Sequence, residues 1–441
     1  MKEIGSSLVT FMFLTSSTLL ADDLSDAFDS GKVSGEIRTF YIDRTYTGII
    51  ENNRNSLAVG GNLGFESNPL GGFSLGFRFY TTNSINIHDG VKSSDNYDPS
   101  LFGDDFSSYS MVGEAYLNYK ISNTNIKIGR QKINTPLLAA DDARMLPNLF
   151  EGLVVTNKDI PDTTIIASHI TKESVGSFGN VYGALGSASA EQLALQSGYG
   201  IGYKRGTNGT FVDLGVIALG DGTDTSGVST VGMIYKGIDN LKLQAWNYYA
   251  YDILNAIYLQ GDYKFNISDG VSLSTSAQYI NQSDIGDALA GEVDSQYMAL
   301  KLGANIGNLS GYVAYSTTDS NNNAQANGGI ITPWGGIPAF TQGMVTRHMF
   351  FADTETTKVA LTYNIKEFDI KASAYYASFD IGVNNTYKNG TEWTAEESGF
   401  DIQYTPKSIK NLKLRLRANY PTDFAPGLDW SEYRVIATYK F

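Results

Sequence analysis

The chain has 441 residues, no Cys, 46 Gly, 28 Tyr, 22 Phe and 10 Pro, and a formal net charge of -14. The lack of Cys excludes disulfides, thiolate metal sites and a lipid anchor on Cys, and the acidic balance argues against a nucleic-acid partner. No stretch after the N-terminus approaches the ~18 consecutive apolar residues of a spanning helix, which excludes a helical membrane protein. The length suits two or three soluble domains or one large β-structure, and the wealth of Gly and aromatic residues favours the second.

The chain opens MKEIGSSLVTFMFLTSSTLLADDLSDAF. Lys2, an apolar core through Leu20 and the small Ala21 ahead of acidic residues read as a secretory signal over residues 1–21. Residues 22–441 then form one domain, in which segments of about ten alternating residues are joined by short and long connections in turn. GGFSLGFRFYT sets Phe73, Leu75, Phe77 and Phe79 on one face. EFDIKASAYYA does the same with Phe368, Ile370, Ala372, Ala374 and Tyr376, and GFDIQYT sets Phe400, Ile402 and Tyr404 against Asp401 and Gln403. NLKLRLRANY sets Leu412, Leu414, Leu416 and Ala418 against Lys413, Arg415 and Arg417. In the closing SEYRVIATYKF, Tyr433, Val435, Ala437, Tyr439 and Phe441 oppose Glu432, Arg434, Thr438 and Lys440. Each is a strand with one apolar and one polar face.

The short connections are turn chemistry, as in SNPLGG, GTNGT, GIDN, ISDG and PKSIKN, and the long ones are polar stretches such as 83–108, 172–197, 317–356 and 378–396. Tight turns at one end and long loops at the other organise a bacterial transmembrane barrel, and strands of ~9–11 tilted residues match a bilayer core. The expected fold is all-β: a transmembrane antiparallel β-barrel with short periplasmic turns and long extracellular loops, in the outer membrane of a Gram-negative cell. The hairpin count gives about 18 to 20 strands. The extra pair would be GYGIGYKR with TFVDLGVIAL, within residues 198–219. A sheet in lipid cannot keep an open edge, because each unpaired backbone group costs several kcal/mol, so the first and last strands are expected to pair.

Apolar faces must then meet lipid and the opposite faces water. Lys413, Arg415 and Arg417 point into the lumen from the penultimate strand, Arg434 and Lys440 from the last, with Arg78, Lys242, Lys358 and Lys371 elsewhere. Closure sets SGEIRTFYIDR beside the last strand, with Ile37, Thr39 and Tyr41 on one face and Glu36, Arg38 and Arg44 on the other. Phe40 and Ile42 share the arginines' face, so periodicity alone leaves the direction of this strand open. With the arginines inward, three neighbouring strands build a basic wall from Arg38, Lys413, Arg415, Arg417 and Arg434. Like charges in a confined pore raise the local anion concentration. Charges that merely pair across strands are the bland alternative.

Such a barrel passes small hydrophilic solutes and ions by passive diffusion and needs no cofactor, metal or reaction. A surface adhesin or structural barrel with a closed lumen would use the same strands. A barrel enzyme would need Ser, His and an acid in reach, whereas Ser168 and His169 fall on opposite faces. The outward apolar surface suits lipid and a second copy of the chain alike, which allows a homo-oligomer.

SGEIRTFYIDRTY, KIGRQKINTPLLAADDARMLPNLFEGLVV, IGDALAGEVDSQYMALKLG and FFADTETTKVALTY resemble the OprD family of outer-membrane porins, with matches over most of the chain. The resemblance implies an eighteen-stranded barrel, an inward-folded third loop, and a ladder of basic lumen residues that guides carboxylate-bearing nutrients such as amino acids or short peptides. On this chain the folded-in loop is TPLLAADDARMLPN, with Pro136 and Pro147 stiffening its ends. Asp141, Asp142 and Arg144 belong to it, and the two acids are expected to face the basic wall across an eyelet. Trp334, in the Gly/Pro-rich ITPWGGIPAF, is expected to roof the mouth or to pack on its own loop.

Overall fold

The computed structural model describes residues 21–87, 92–93, 96–103, 105–182 and 206–441. The signal segment therefore lies almost wholly outside the described residues, as does the GYGIGYKR half of the extra hairpin. A short helix, α1 (Ala21–Asp29), leads into β1 (Lys32–Gly48), β2 (Asn52–Glu66), β3 (Phe73–Ile85), β4 (Tyr109–Ile121), β5 (Thr124–Gln131), β6 (Leu149–Asn157) and β7 (Thr163–Ser174). A two-residue stub, β8 (Val212–Asp213), and helix α2 (Leu214–Leu219) precede β9 (Val228–Ile238), β10 (Leu241–Ala250), β11 (Leu254–Ser268), β12 (Val271–Asp284) and β13 (Asp294–Ile306). The chain closes with β14 (Leu309–Thr318), β15 (Thr354–Ile365), β16 (Ile370–Ile381), β17 (Trp393–Tyr404), β18 (Leu412–Thr422) and β19 (Leu428–Lys440).

All strands belong to one antiparallel sheet, and β1 pairs with both β2 and β19, so the sheet is a closed barrel. Closure runs from Glu36 opposite Lys440 to Gly48 opposite Leu428. Gly35 and Phe441 extend it by exchanging both backbone hydrogen bonds, at 2.9 and 3.0 Å. Backbone groups that would be exposed to lipid at a seam are thereby satisfied, as a bilayer demands. The tight turns need left-handed backbone, and Asn240, Gly270, Gly307 and Asp369 supply it.

The stub β8 does not span, which leaves eighteen long strands. β7 bonds directly to β9, from Thr163 opposite Tyr235 to Ile170 opposite Val228, leaving no room between them for a further hairpin. The upper strand count is thus corrected. TFVDLGVIAL carries consecutive, not alternating, apolar residues. Asp213 caps the N-terminus of α2 by accepting from Gly215 N at 2.7 Å, and Leu214, Val216, Ile217 and Ala218 are all buried.

Outward faces carry the exposed apolar residues, among them Leu63, Phe77, Leu300, Leu302, Leu361 and Val435. Inward faces are not uniformly polar. Loops 96–103, 132–148 and 319–353 fold into the barrel, and their apolar side chains need a core. Trp246, Tyr248, Tyr297 and Phe379 meet Leu138, Trp334 and Phe350 in one buried cluster. Phe40 and Ile42 meet Tyr97, Phe102 and Leu146 in a second. This settles the direction of β1: Phe40 and Ile42 point inward beside Arg38 and Arg44 because folded-in loops cover them.

Candidate functional site

Loop 132–148, between β5 and β6, narrows the lumen. Its own hairpin turn is closed by Thr135 N donating to Leu138 O at 2.9 Å. It is braced against loop 319–353 by a bridge between Leu138 and Gly335, in which Ala139 N donates to Trp334 O at 3.0 Å. Gly335 has φ +78, and a Cβ there would fall 2.2 Å from Asn148 Nδ2 and 2.4 Å from Ala139 O, so only glycine fits the crossing. Trp334 is buried at this junction and donates Nε1–H to Leu214 O at 3.1 Å, so it packs against other segments and not on its own loop alone.

The basic wall lies where β18, β19 and β1 adjoin. Strand register stacks its residues in rows: Lys413, Thr438 and Arg38; then Arg415, Ile436 and Phe40; then Arg417, Arg434 and Ile42; then Asn419, Glu432 and Arg44. Arg38 pairs with Glu36 at 2.7 Å and reaches Asp142 of the constriction loop at 2.8 Å. Lys132 adds a third charge to that contact, 3.0 Å from Asp142. Burial opposes ionisation of Asp142, but Arg38 and Lys132 outweigh it and hold the carboxyl below its usual range. Asp141 makes its ion pair with Arg347 of loop 319–353 at 3.0 Å, not with the ladder, and lines a cavity that Arg417 also lines.

Arg415 and Arg417 share one carboxylate. Asp401, on β17 directly opposite Arg417, accepts from Arg415 Nε at 2.8 Å and lies 3.5 Å from Arg417 Nε. Its partnership escaped the sequence reading, although alternation already set Asp401 on the polar face of GFDIQYT. Lys413 makes no ion pair among the described residues, so three cations on one strand meet a single acid.

Arg434 and Arg144 sit elsewhere than a wet wall or eyelet would put them. Both are 1% exposed and both bind Glu432, Arg144 at 3.2 Å. Arg44 completes the cluster, 2.7 Å from Glu432 and 3.3 Å from Asp98. Three guanidiniums around one buried carboxylate lock loop 132–148, loop 96–103, β1 and β19 together. Such a cluster holds shape, because removing one member would strand the others' charges away from water.

Three cavities string along the wall. One of about 350 Å³ is lined by Arg38, Asp142, Arg78 and Glu114. Arg38 and Asp142 also line a second of about 150 Å³ with Lys413, Arg415 and Arg417. Arg417 and Ala143 carry the surface on into a third of about 570 Å³.

A closed barrel with a lipid-facing apolar exterior, a constriction made by inward-folded loops and charged cavities along one inner wall defines a porin of the outer membrane, a channel for small solutes. Residues 26–441 match the model of the outer membrane porin family OprD, and the chain belongs to that family. It is similar to Porin-like protein GalP of Pseudomonas putida, 21% identical over 450 residues that cover 97% of this chain and 96% of GalP. Among solved structures it is similar to OccK9 (OpdG) of Pseudomonas aeruginosa, with TM-score 0.75, 19% identity and coverage of 94% and 99% of the two chains. Pseudomonas aeruginosa OpdK with vanillate matches at TM-score 0.74 and 18% identity, over 94% and 99%. OccK2 (OpdF) of Pseudomonas aeruginosa in complex with glucuronate matches at 0.69 and 15%, over 94% and 97%. These likenesses share the eighteen-stranded fold.

Proposed function

We propose that this porin passes small carboxylate-bearing solutes, guided by Arg38, Lys413, Arg415 and Arg417 past the tip of loop 132–148. The observation that carries the reading is the excess of cations on β18, where, among the described residues, Lys413, Arg415 and Arg417 meet Asp401 as their one acid. A low-dielectric wall strengthens the field of that excess and draws anions along it. Asp142 sets the width of the passage through its bond to Arg38, whereas Arg434 and Arg144 hold the frame. Vanillate and glucuronate, the ligands named for two similar barrels, both carry a carboxylate, which supports the same class here. Passage is diffusion: no bond in the solute is made or broken. Residues 1–21 direct export and are then removed.

Purified protein in liposomes should take up glucuronate faster than a neutral hexose of similar size, and Arg415→Gln with Arg417→Gln should erase that preference. Equal uptake of the two solutes by the unaltered protein would refute the reading.

A further inference from the structure

The largest of the three cavities carries a second set of cations, away from the ladder. Lys301 on β13 and Lys358 on β15 both lie opposite Ala314 of the strand between them. Neighbouring strands are ~4.8 Å apart, so the two lysines leave the wall roughly 10 Å from each other on one row. The facing position beyond Lys358 is Ala377. At three other places in the lumen a cation faces an acid in register: Arg78 opposite Glu114 at 3.3 Å, Arg130 opposite Glu151 at 3.0 Å, and Arg44 opposite Glu432 at 2.7 Å. Lys301 has Ser276 and Ala314 opposite, Lys358 has Ala314 and Ala377, and neither forms an ion pair among the described residues.

The acids nearby are occupied: on the cavity's lining Asp141 pairs with Arg347 at 3.0 Å and Asp401 accepts from Arg415 at 2.8 Å, and two more lie in the lysines' own row, each two strands away. Glu397 accepts from the backbone N–H of Met344 at 2.6 Å and of Thr346 at 2.8 Å, and Asp262 accepts from Gln260 at 2.7 Å. What surrounds the two ammonium groups is aromatic. Lys301 Nζ stands 4.2 Å from the Phe340 ring centre and 5.9 Å from that of Tyr312. Lys358 Nζ stands 4.8 Å from Tyr375 and 6.0 Å from Tyr312, and donates to Gln342 O. Tyr312 and Tyr375 sit one row nearer the tight-turn end, separated by Ala360, and so leave a gap between two rings. The cavity, about 570 Å³ with Arg417 on its lining, has room for a small organic molecule.

Resting on the reading of the lumen as a conducting path, we propose that Lys301 and Lys358 form a second anion-binding station, which with Arg417 selects dianions having a flat apolar body. One carboxylate binds the lysine pair, the body lies against Tyr312 and Tyr375, and the other carboxylate reaches Arg417. A monoanion can engage one station at a time; a dianion engages both, and the second contact acts as an intramolecular one.

Single-channel recording of the full chain in planar bilayers tests this, with terephthalate, benzoate and succinate as blockers. Terephthalate should half-block the current at ~10-fold lower concentration than benzoate, and succinate, which lacks the ring, should fall between. Lys301→Gln with Lys358→Gln should bring terephthalate within about twofold of benzoate, while Leu302→Val, on the lipid face, should leave the ratio unchanged. Should the double variant fail to insert, Lys301→Gln alone should cost about threefold. Open channels with equal block by terephthalate and benzoate, or a ratio untouched by the lysine variants, overturn the station and leave the proposed function standing. Absence of conducting steps in the unaltered protein removes both.

Discussion

Arg38 of the first strand donates to Asp142 of the constriction loop at 2.8 Å, tying the tip of that loop to the seam where the barrel closes. The same guanidinium donates to Arg144 O, so one side chain fixes two successive bends of the loop. Asp142→Asn should weaken both the tether and the acid's hold on Lys132. Lys132 would be left without its acid and Arg38 with Glu36 alone. Single-channel recordings should show noisier open states and a reversal potential moved toward anions. The unaltered contact should also loosen in acid: a carboxyl held below its usual range keeps its pairing above ~4 and loses it as pH falls through its folded value.

Glu432 is the keystone of the buried cluster, and Glu432→Gln leaves Arg44, Arg144 and Arg434 around Asp98 alone. Breaking a buried ion pair from one side costs about 3–5 kcal/mol. Denaturant unfolding followed by Trp fluorescence should show that loss, with Trp430 two residues away as the reporter. Removing an exposed pair such as Lys407 with Asp369 should leave the unfolding midpoint nearly unchanged.

His348 makes docking of loop 319–353 sensitive to acid. It is fully buried, its Nε2–H donates to Phe424 O at 2.6 Å, and its ring stacks on Phe351 with centres 4.3 Å apart. Burial pushes the imidazole down to about 3, against ~6.5 in an undocked loop. The undocked form therefore binds a proton first. Docking is at full strength above ~6.5 and weakens by about 1.4 kcal/mol per pH unit as pH falls toward 3. Amide protection in residues 319–353, measured relative to intrinsic exchange at each pH, should fall between pH 6 and 4, and His348→Gln should flatten that dependence.

Alternation along the strands could be read in the chain because lipid permits no exception: Leu412, Leu414 and Leu416 must turn outward, which sends Lys413, Arg415 and Arg417 in. Contacts made by folded-in loops left no such trace. Arg434 looked like one more rung of the ladder, but Asp98 and Arg144 reach its cluster from two separate loops, and no local pattern announces them. Phe40 and Ile42 blurred the face of β1 for the same reason, since their core is built by distant segments. TFVDLGVIAL passed for one strand of a hairpin because apolar content was visible and the capping role of Asp213 was not. Lys301 gave no signal of its own; its significance lies in having Ala314 opposite, which needs the register.

Gly335 offers a test of the loop crossing. Gly335→Ala must place a methyl where Asn148 and Ala139 already are, in a backbone conformation that L-residues avoid. Strain of about 1–3 kcal/mol should part the two loops. The expected readout is a larger and less selective single-channel conductance with the barrel still folded.

The wetted cations of β18 are the centre of the account, and reversal potential in a salt gradient reads them most directly. Replacing Arg415 and Arg417 with Glu in the full chain should shift the permeability ratio toward cations by about threefold or more, at open conductance of the same order. A reversal potential identical to that of the unaltered channel would mean that ions pass elsewhere, and that this wall does not guide solutes.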